Sequence, residues 1–513
     1  MASPTFGITI LPVDEEPRPA LGYDMSIVGL VGTAPDADIA AFPVNTPVLL
    51  FSNDPILRNK LGATGTLPYA VDGVDSQLGE FQVSARVVIV RVAEGADEAA
   101  TIVNLLGNQG SQTGMWALKR AGSALAVVPR LISIPGYTAS HQVTAPTGSV
   151  SRTTKTGGNT GNGTLTLATP AYGASIKNGV YTVRAKTATT FEVKDPDGIN
   201  MPDAVAGSAY TGAHVRFTVA AGATAFVAGD GFDLTATVTP GSALANPIVA
   251  ALPPLLNGLL AHAVVQGPTS SYEAWSAWRE TFADQRIIPL AIGAKVGPLA
   301  SVVDASPSVI GIGVARDHQN EGTPFKSWAN QAVAGIVGPD RDVEFSLTDG
   351  STEGQTILSQ NGGIIVRGAA GIETAIADAG FVYIGTDTAS DNELWRFYNV
   401  SRGRDYFHIM LLRTCRHYLG KFNITVQTIE AIRLTMEQII LQAKARGWII
   451  DGRIGFTAAL NTAEELRQGK FTIDFQAEEP PVLRHLTIRS MRYRAAFDTL
   501  LEDLASQFNT VLA

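Results

Sequence analysis

The side chains able to do chemistry are few and scattered along the chain. Seven histidines stand at positions 141, 214, 262, 318, 408, 417 and 485. Zinc sites draw His and Cys ligands from short, regular spacings. Only His408 and His417 come near one another, and nine residues along one helix set them on opposing faces. Cys415 is the one cysteine. It sits within an apolar helical pattern, where a thiol reads as a small buried hydrophobe, and it leaves no partner for an intrachain disulfide. Asp195, Asp197 and Asp203 offer three carboxylates to a calcium ion, yet Asp195-Pro196-Asp197-Gly198 is equally a plain turn. Gly311-Ile312-Gly313 follows the start of an apolar run read as a strand over 309–314, but the third glycine of a dinucleotide fingerprint is missing. The pairs Asp340/Asp342 and Glu464/Glu465 read as solvated faces. Nucleophile elbows, phosphate loops, His-Glu-x-x-His and Cys pairs are absent. The expectation is therefore no catalytic residue, no metal ligand and no cofactor site. Triads are set by geometry and not by spacing, so the missing motifs count against an enzyme without closing the question.

The elements that would position such groups fall into distinct blocks. Apolar runs at 25–31, 48–51, 86–92 and 131–134 predict buried strands, and helical spacing follows Asp54 and Pro68. Strands alternating with helices indicate an α/β sheet covered by helices. From 136 to 245 the chain changes to Thr, Gly and Ala without Trp or Cys. Segments 163–168, 179–185, 189–193, 215–220 and 232–238 alternate at period two between turn signals, which predicts an inserted all-β, sandwich-like domain. The α/β pattern then resumes with a helix near 248–260 and strands at 263–265, 287–292, 309–314, 363–366 and 380–385. The predicted organisation is an arm over 1–20, an α/β core over 21–135 plus 246–394, the β insertion over 136–245, an α+β domain over 395–506, and a terminal arm over 507–513.

In the last block Phe407, Leu411 and Cys415 repeat at helical spacing, as do Val426, Ile429, Ile432, Met436, Ile440 and Ala443, with Gly447 placed to end that helix. Strands are predicted at 471–475 and 486–490, a helix near 491–504, and a short strand at 508–512. At the other end, residues 5–11 alternate like a strand ahead of a spacer stiffened by Pro12, Pro17 and Pro19. Terminal strands with Phe6, Ile8 and Ile10 or Phe508, Thr510 and Leu512 on one face need a sheet edge to complete their hydrogen bonds. Strand addition to an edge elsewhere would supply one; folding back on the chain's own sheet edge is the alternative.

Composition narrows the partners. The chain has 513 residues, 45% hydrophobic and 17% charged, as expected of several folded domains. Its net charge of −9 argues against nucleic acid as the main partner. From Arg396 onward there are 16 Lys/Arg against 12 Asp/Glu, a net of +4, whereas the preceding 395 residues carry −13. An acidic body and a basic end can face two different partners. The N-terminus lacks the basic start and apolar core of a signal peptide. The most apolar stretch, 248–265, is interrupted by Pro253, Pro254, Asn257 and His262, so no membrane span is expected.

Several stretches together carry a family resemblance. Tyr23-Asp24-Met25-Ser26-Ile27-Val28-Gly29-Leu30-Val31-Gly32-Thr33-Ala34 resembles the opening of contractile tail sheath proteins. Ser327-Trp328-Ala329-Asn330 and Gly335-Ile336-Val337-Gly338-Pro339 are similar to their mid-chain signature. The best match is Trp395-Arg396-Phe397-Tyr398-Asn399-Val400-Ser401-Arg402-Gly403-Arg404, followed by the region of Asn461-Thr462-Ala463-Glu464-Glu465-Leu466. The insertion resembles a β module found on the outer surface of phage structural proteins. The resemblance implies a core of subtilisin-like topology without catalysis, and self-assembly as stacked rings of six around a tail tube. It further implies baseplate and tail terminator proteins as partners, strand exchange between rings, and contraction that drives the tube through a host envelope. Assembly in the host cytoplasm and residence in the virion tail go with it. Arg467 and Lys470 are the expected tube-facing charges. A tailocin or type VI-like system is the alternative within the family; a hydrolase with a β accessory domain is the alternative outside it.

Overall fold

The computed structural model describes residues 23–79, 83–140, 142–144, 147–239 and 243–510. Its central sheet has six strands: β1 (Val28–Thr33), β2 (Pro47–Phe51), β3 (Arg86–Val92), β4 (Leu131–Ser133), β5 (His262–Gln266) and β6 (Ile287–Leu290). Their spatial order is β6-β5-β4-β1-β3-β2. All neighbours run parallel except β2, which lies antiparallel on β3 at the edge. Near-continuous Val/Ile/Leu runs suit strands buried on both faces, and β1 and β5 are buried throughout. The long insertion separates β4 from β5 in sequence, yet they pair directly, with His262 opposite Leu131. The sheet is therefore closed by residues from both flanks of the insertion.

Helices α1 (Leu67–Ser76), α2 (Pro247–Leu259) and α3 (Ser306–Gln319) pack on this sheet and share one hydrophobic core with it. Helix α3 corrects the strand expected at 309–314. Eleven of its residues are buried, so the run Val309-Ile310-Gly311-Ile312-Gly313-Val314 is apolar on every side and shows no helical period. Its glycines mark close approach. A Cβ on Gly311 would lie 2.7 Å from the Val74 carbonyl oxygen of α1, and one on Gly313 would lie 2.6 Å from the Trp328 ring.

The insertion has a core of its own. A five-stranded sheet and a three-stranded sheet enclose Tyr181, Val183, Phe191, Phe217 and Leu234. Phe226 stands edge-on to both Phe191 and Phe232, the arrangement favoured by the ring quadrupoles. Gly179–Ala185 and Val215–Ala220 bury alternate residues, as period-two patterning dictates. The antiparallel pair Gln142–Val143 and Ala243–Leu244 forms the stem.

The C-terminal part contains helix α4 (Tyr398–Cys415), helix α5 (Val426–Ala445), the antiparallel strands β7 (Asp451–Gly455) and β8 (Asp474–Glu478), and helix α6 (Ala495–Thr510). Phe407, Met410, Ile439, Ile440 and Ala443 build a third cluster, in which Phe325 from the core side stacks on Trp448. Burial raises the pKa of the Cys415 thiol, in keeping with a packed side chain.

Two tail assignments change. Residues 486–490 form no strand and have no ladder partner among the described residues. Phe508 and Thr510 belong to α6 and not to a terminal strand. Phe497, Leu501, Leu504 and Phe508 recur every three or four residues, so Phe508 continues a helical stripe that a five-residue window reads as alternation. Leu512, and Phe6, Ile8 and Ile10 of the N-terminal arm, lie outside the described residues.

Candidate functional site: the clamp on helix α4 and the exposed tail

The segment Trp395–Arg404, singled out by resemblance, has a physical role at almost every position. Arg396 Nε donates to Asp387 Oδ2 at 2.7 Å. The Tyr398 hydroxyl accepts from the Trp328 backbone N–H at 2.7 Å and reaches the Gly385 carbonyl at 3.0 Å. Asn399 Nδ2 donates to the Pro480 carbonyl at 3.2 Å. Arg402, fully buried, binds Asp317 of α3 through both guanidinium nitrogens at 3.1 and 2.5 Å. It also lies 4.9 Å over the Trp328 ring. A Cβ on Gly403 would stand 2.7 Å from the Phe325 ring. Arg404 forks onto Glu479 with two contacts of 2.8 Å. The first half of α4 is thereby fastened to the core sheet, to α3 and to the end of β8.

At the centre of this clamp lies a Ser-His-Asp grouping that no spacing in the sequence announces. Ser401 Oγ is 2.9 Å from His262 Nε2, and His262 Nδ1 is 3.8 Å from Asp405 Oδ2. Its hydrogen bonding is unlike that of a nucleophilic triad. Ser401 Oγ donates to the Gln285 carbonyl at 3.1 Å, which leaves His262 Nε2 to donate to Ser401. An Nε2 that already carries its proton cannot take one from the hydroxyl. Asp405 binds both terminal nitrogens of the Arg286 guanidinium, and 3.8 Å is too long for a hydrogen bond to Nδ1. The side chains of His262 and Asp405 are 0% and 2% exposed, so no substrate reaches them. Burial pushes the His262 pKa down to about 3, with Asp405 opposing and Arg286 and Arg402 reinforcing the shift. The group is a neutral spacer inside a charge network. Its one unprotonated nitrogen, Nδ1, faces Asp405 and not Ser401, so no base is placed to activate the hydroxyl.

A pH dependence follows. Between the folded value near 3 and an unfolded value of about 6.5, the unfolded chain binds a proton that the folded chain refuses. Stability therefore falls as pH drops through that window, by at most about 1.4 kcal/mol per pH unit from this group. His262→Gln, which keeps a donor toward Ser401, should flatten the change in urea midpoint between about pH 7 and pH 5. An unchanged slope would mean that His262 titrates normally.

The remaining sequence candidates separate. Asp195 and Asp197 both bind Lys177 Nζ, at 2.7 and 2.6 Å, and Asp203 binds Lys186. An ammonium thus occupies the place between the two turn carboxylates, and Asp195 Oδ1 accepts from the backbone of Asp197 and Ile199 as turn residues do. His408 faces Asp405, while His417 sits among Tyr418 and Phe422. Arg467 is exposed at the end of the helix Ala463–Arg467, and exposed Lys470 pairs with Glu465 at 3.3 Å. The clamp partners His262, Arg286, Asp317 and Glu479 were not found from sequence. Their one signal is polarity within apolar surroundings, as at His262 beside the run Ala263-Val264-Val265.

The second surface is the tail. Every residue from Leu483 to Phe508 is exposed, including Leu486, Ile488, Met491 and the apolar stripe of α6. Contiguous apolar surface of this extent marks an interaction site. The body is pinned by buried ion pairs, and the tail is exposed along its described length.

Comparison with known proteins agrees. No protein-family profile matches the chain. The tail sheath protein of Escherichia phage P2 is 23% identical over 514 residues, covering 98% of both chains. The chain is a homologue of phage tail sheath proteins. The major tail sheath protein of Serratia phage KSP20 shares 39% identity with this sheath homologue over 120 residues, or 22% of it and 29% of the relative. Among solved structures, the contracted sheath complex of the PVC extracellular contractile injection system aligns with a TM-score of 0.55 at 10% identity, covering 97% of this chain and 99% of that one. The contracted helical sheath of the anti-feeding prophage gives 0.53 at 12% identity, over 96% and 100%. At such identities the structural likeness speaks for the fold alone.

Proposed function

We propose that this sheath homologue is the structural subunit of a contractile phage tail sheath, which polymerises around a tail tube and contracts to drive that tube through a host envelope. The observation that carries the reading is the full-length match to a phage tail sheath protein, together with a body pinned by α4 and a wholly exposed tail. Work then comes from rearranging contacts between rigid bodies, which requires no nucleotide. Among the described residues no helix is long and apolar enough to cross a membrane.

The finer parts of the proposal are six subunits per ring, a tube, baseplate and tail terminator proteins as partners, and assembly in the host cytoplasm. The mostly parallel core is taken as the family's subtilisin-like domain in a non-catalytic form, and residues 136–245 as an outward module. The basic C-terminal part would face the tube, with exposed Arg467 as its contact; Lys470 would first have to leave Glu465. β7 and β8 form a two-stranded sheet, and such a pair is marginal alone. It is a natural acceptor for extended segments of neighbours, among them Phe6, Ile8 and Ile10. An added strand making four to six hydrogen bonds at about 1 kcal/mol each holds modestly by itself, and repetition across a lattice makes the mesh.

Negative-stain microscopy of the full-length chain beside a version lacking residues 1–12 tests the arm. Long striated tubes from the first, and short or absent ones from the second, are expected. Equal tubes from both would remove the N-terminal strand from the mechanism.

A further inference from the structure

Among the described residues nothing buries the apolar face of the amphipathic helix α6. Phe497, Leu501, Leu504 and Phe508 line one side, with Phe497 and Phe508 60% and 70% exposed. Asp498, Glu502 and Asp503 make it acidic, and no Lys or Arg lies within it. Sixteen residues are barely enough for a helix to persist in water without packing. A partner surface must therefore be apolar and basic.

The body presents such a surface at the tip of the α4–α5 hairpin. Leu412, Leu419, Phe422 and Val426 are exposed there, Leu419 at 77% and Val426 at 81%. From Tyr406 to Ile429 the chain contains no acidic residue, while exposed Arg416 and Lys421 flank the tip. The rest of the tail repeats the match. Ahead of α6 lies a basic stretch with Arg489, Arg492 and Arg494, beyond Arg484, which pairs with Asp387, and the half-exposed strand pair β7–β8 carries Asp451, Asp474 and Glu478 against Arg453, with Lys444 beside Asp451. The tail reads basic then acidic, and the body offers an acidic sheet and a basic tip. That paired complementarity identifies the occupant as a second copy of this chain and not as an unrelated partner.

We propose that α6 of one subunit docks on the apolar, basic tip of the α4–α5 hairpin of a second copy. This deepens the assembly reading above and rests on it. The apolar stripe supplies contact area in the helix-in-groove manner, and Asp498, Glu502 and Asp503 set orientation against Arg416 and Lys421.

The test places a photo-reactive benzoylphenylalanine at Ala505 in the full-length chain, beside the stripe. Isotopically light and heavy chains are mixed so that links between copies are told from links within one. Cross-links are mapped by mass spectrometry in assembled sheaths and in concentrated soluble protein. The expected result is linkage to residues 412–426 of the other copy. Combining Asp498→Lys, Glu502→Lys and Asp503→Lys should lower the yield about tenfold through like-charge repulsion. Adding Arg416→Glu and Lys421→Glu to that chain should restore it. Links within one chain, to another face or to the tube protein would overturn the docking. So would indifference to charge reversal, failure of the swap to rescue, or absence of links in both preparations. Sheaths with α6 linked elsewhere refute the docking alone; a lack of sheaths counts against the assembly reading, and the soluble map still judges the docking.

Discussion

Replacing Arg402 with Met should destabilise the body by about 3–5 kcal/mol, because it leaves a buried carboxylate without its cation. Asp317 is 1% exposed and its two oxygens meet the Arg402 guanidinium at 3.1 and 2.5 Å. Burial already raises the Asp317 pKa, and Arg402 is the principal group opposing that rise. Without the cation the acid must take up a proton or draw in water, and either course loosens α3 from α4. The pair itself is a poor source of net stability, since desolvating two charges costs about as much as their attraction returns. Hence the double variant Arg402→Met with Asp317→Leu should recover much of the loss. Recovery will be incomplete, because Arg402 also donates to the Met25 carbonyl and covers the Trp328 ring. Denaturant unfolding followed by tryptophan fluorescence reads both effects. A loss under about 1 kcal/mol for Arg402→Met would show that α4 is held by packing alone.

Ending the chain after Arg484 should abolish sheath formation and leave the body's stability within about 0.5 kcal/mol of the full-length value. The cut keeps the Arg484–Asp387 contact at 2.8 Å and removes only residues that are exposed throughout their described length. Nothing in the body's cores is opened, because none of the three hydrophobic clusters includes a residue beyond Phe475 except Ala477 at the edge of the third. This truncation separates two roles that a destabilising one would confuse. Under the proposed function, folding would belong to the body and association to the tail. Sedimentation of assembled material together with a melting curve on the soluble chain gives both readouts. Normal tubes from the shortened chain would place the essential contacts elsewhere, and a lower melting point would show that the tail packs on its own body.

Much of the architecture was legible because burial and period go together. Alternation found Gly179–Ala185 and Val215–Ala220 in the insertion, where one face of each strand is wet. Unbroken apolar runs found the strands of the core sheet. The same logic misread α3, since a helix buried on all sides shows no helical period and its β-branched residues imitate a strand. At the C-terminus too short a window turned the stripe ending at Phe508 into alternation. The clamp was legible only as a family signature. Spacing around Ser401 and Arg402 gives no hint that the partners are His262 and Asp317, because the pairing is made by bringing β5 and α3 beside α4. The Ser401–His262–Asp405 grouping shows the converse hazard, in which triad-like distances conceal a proton arrangement that cannot support nucleophilic attack.

The decisive measurement is electron microscopy of the full-length chain co-expressed with a tail tube protein. Hollow, cross-striated cylinders enclosing the tube are expected, with every subunit joined to its neighbours through the tail. Bare tubes beside monodisperse, unassembled chain would contradict the proposed function.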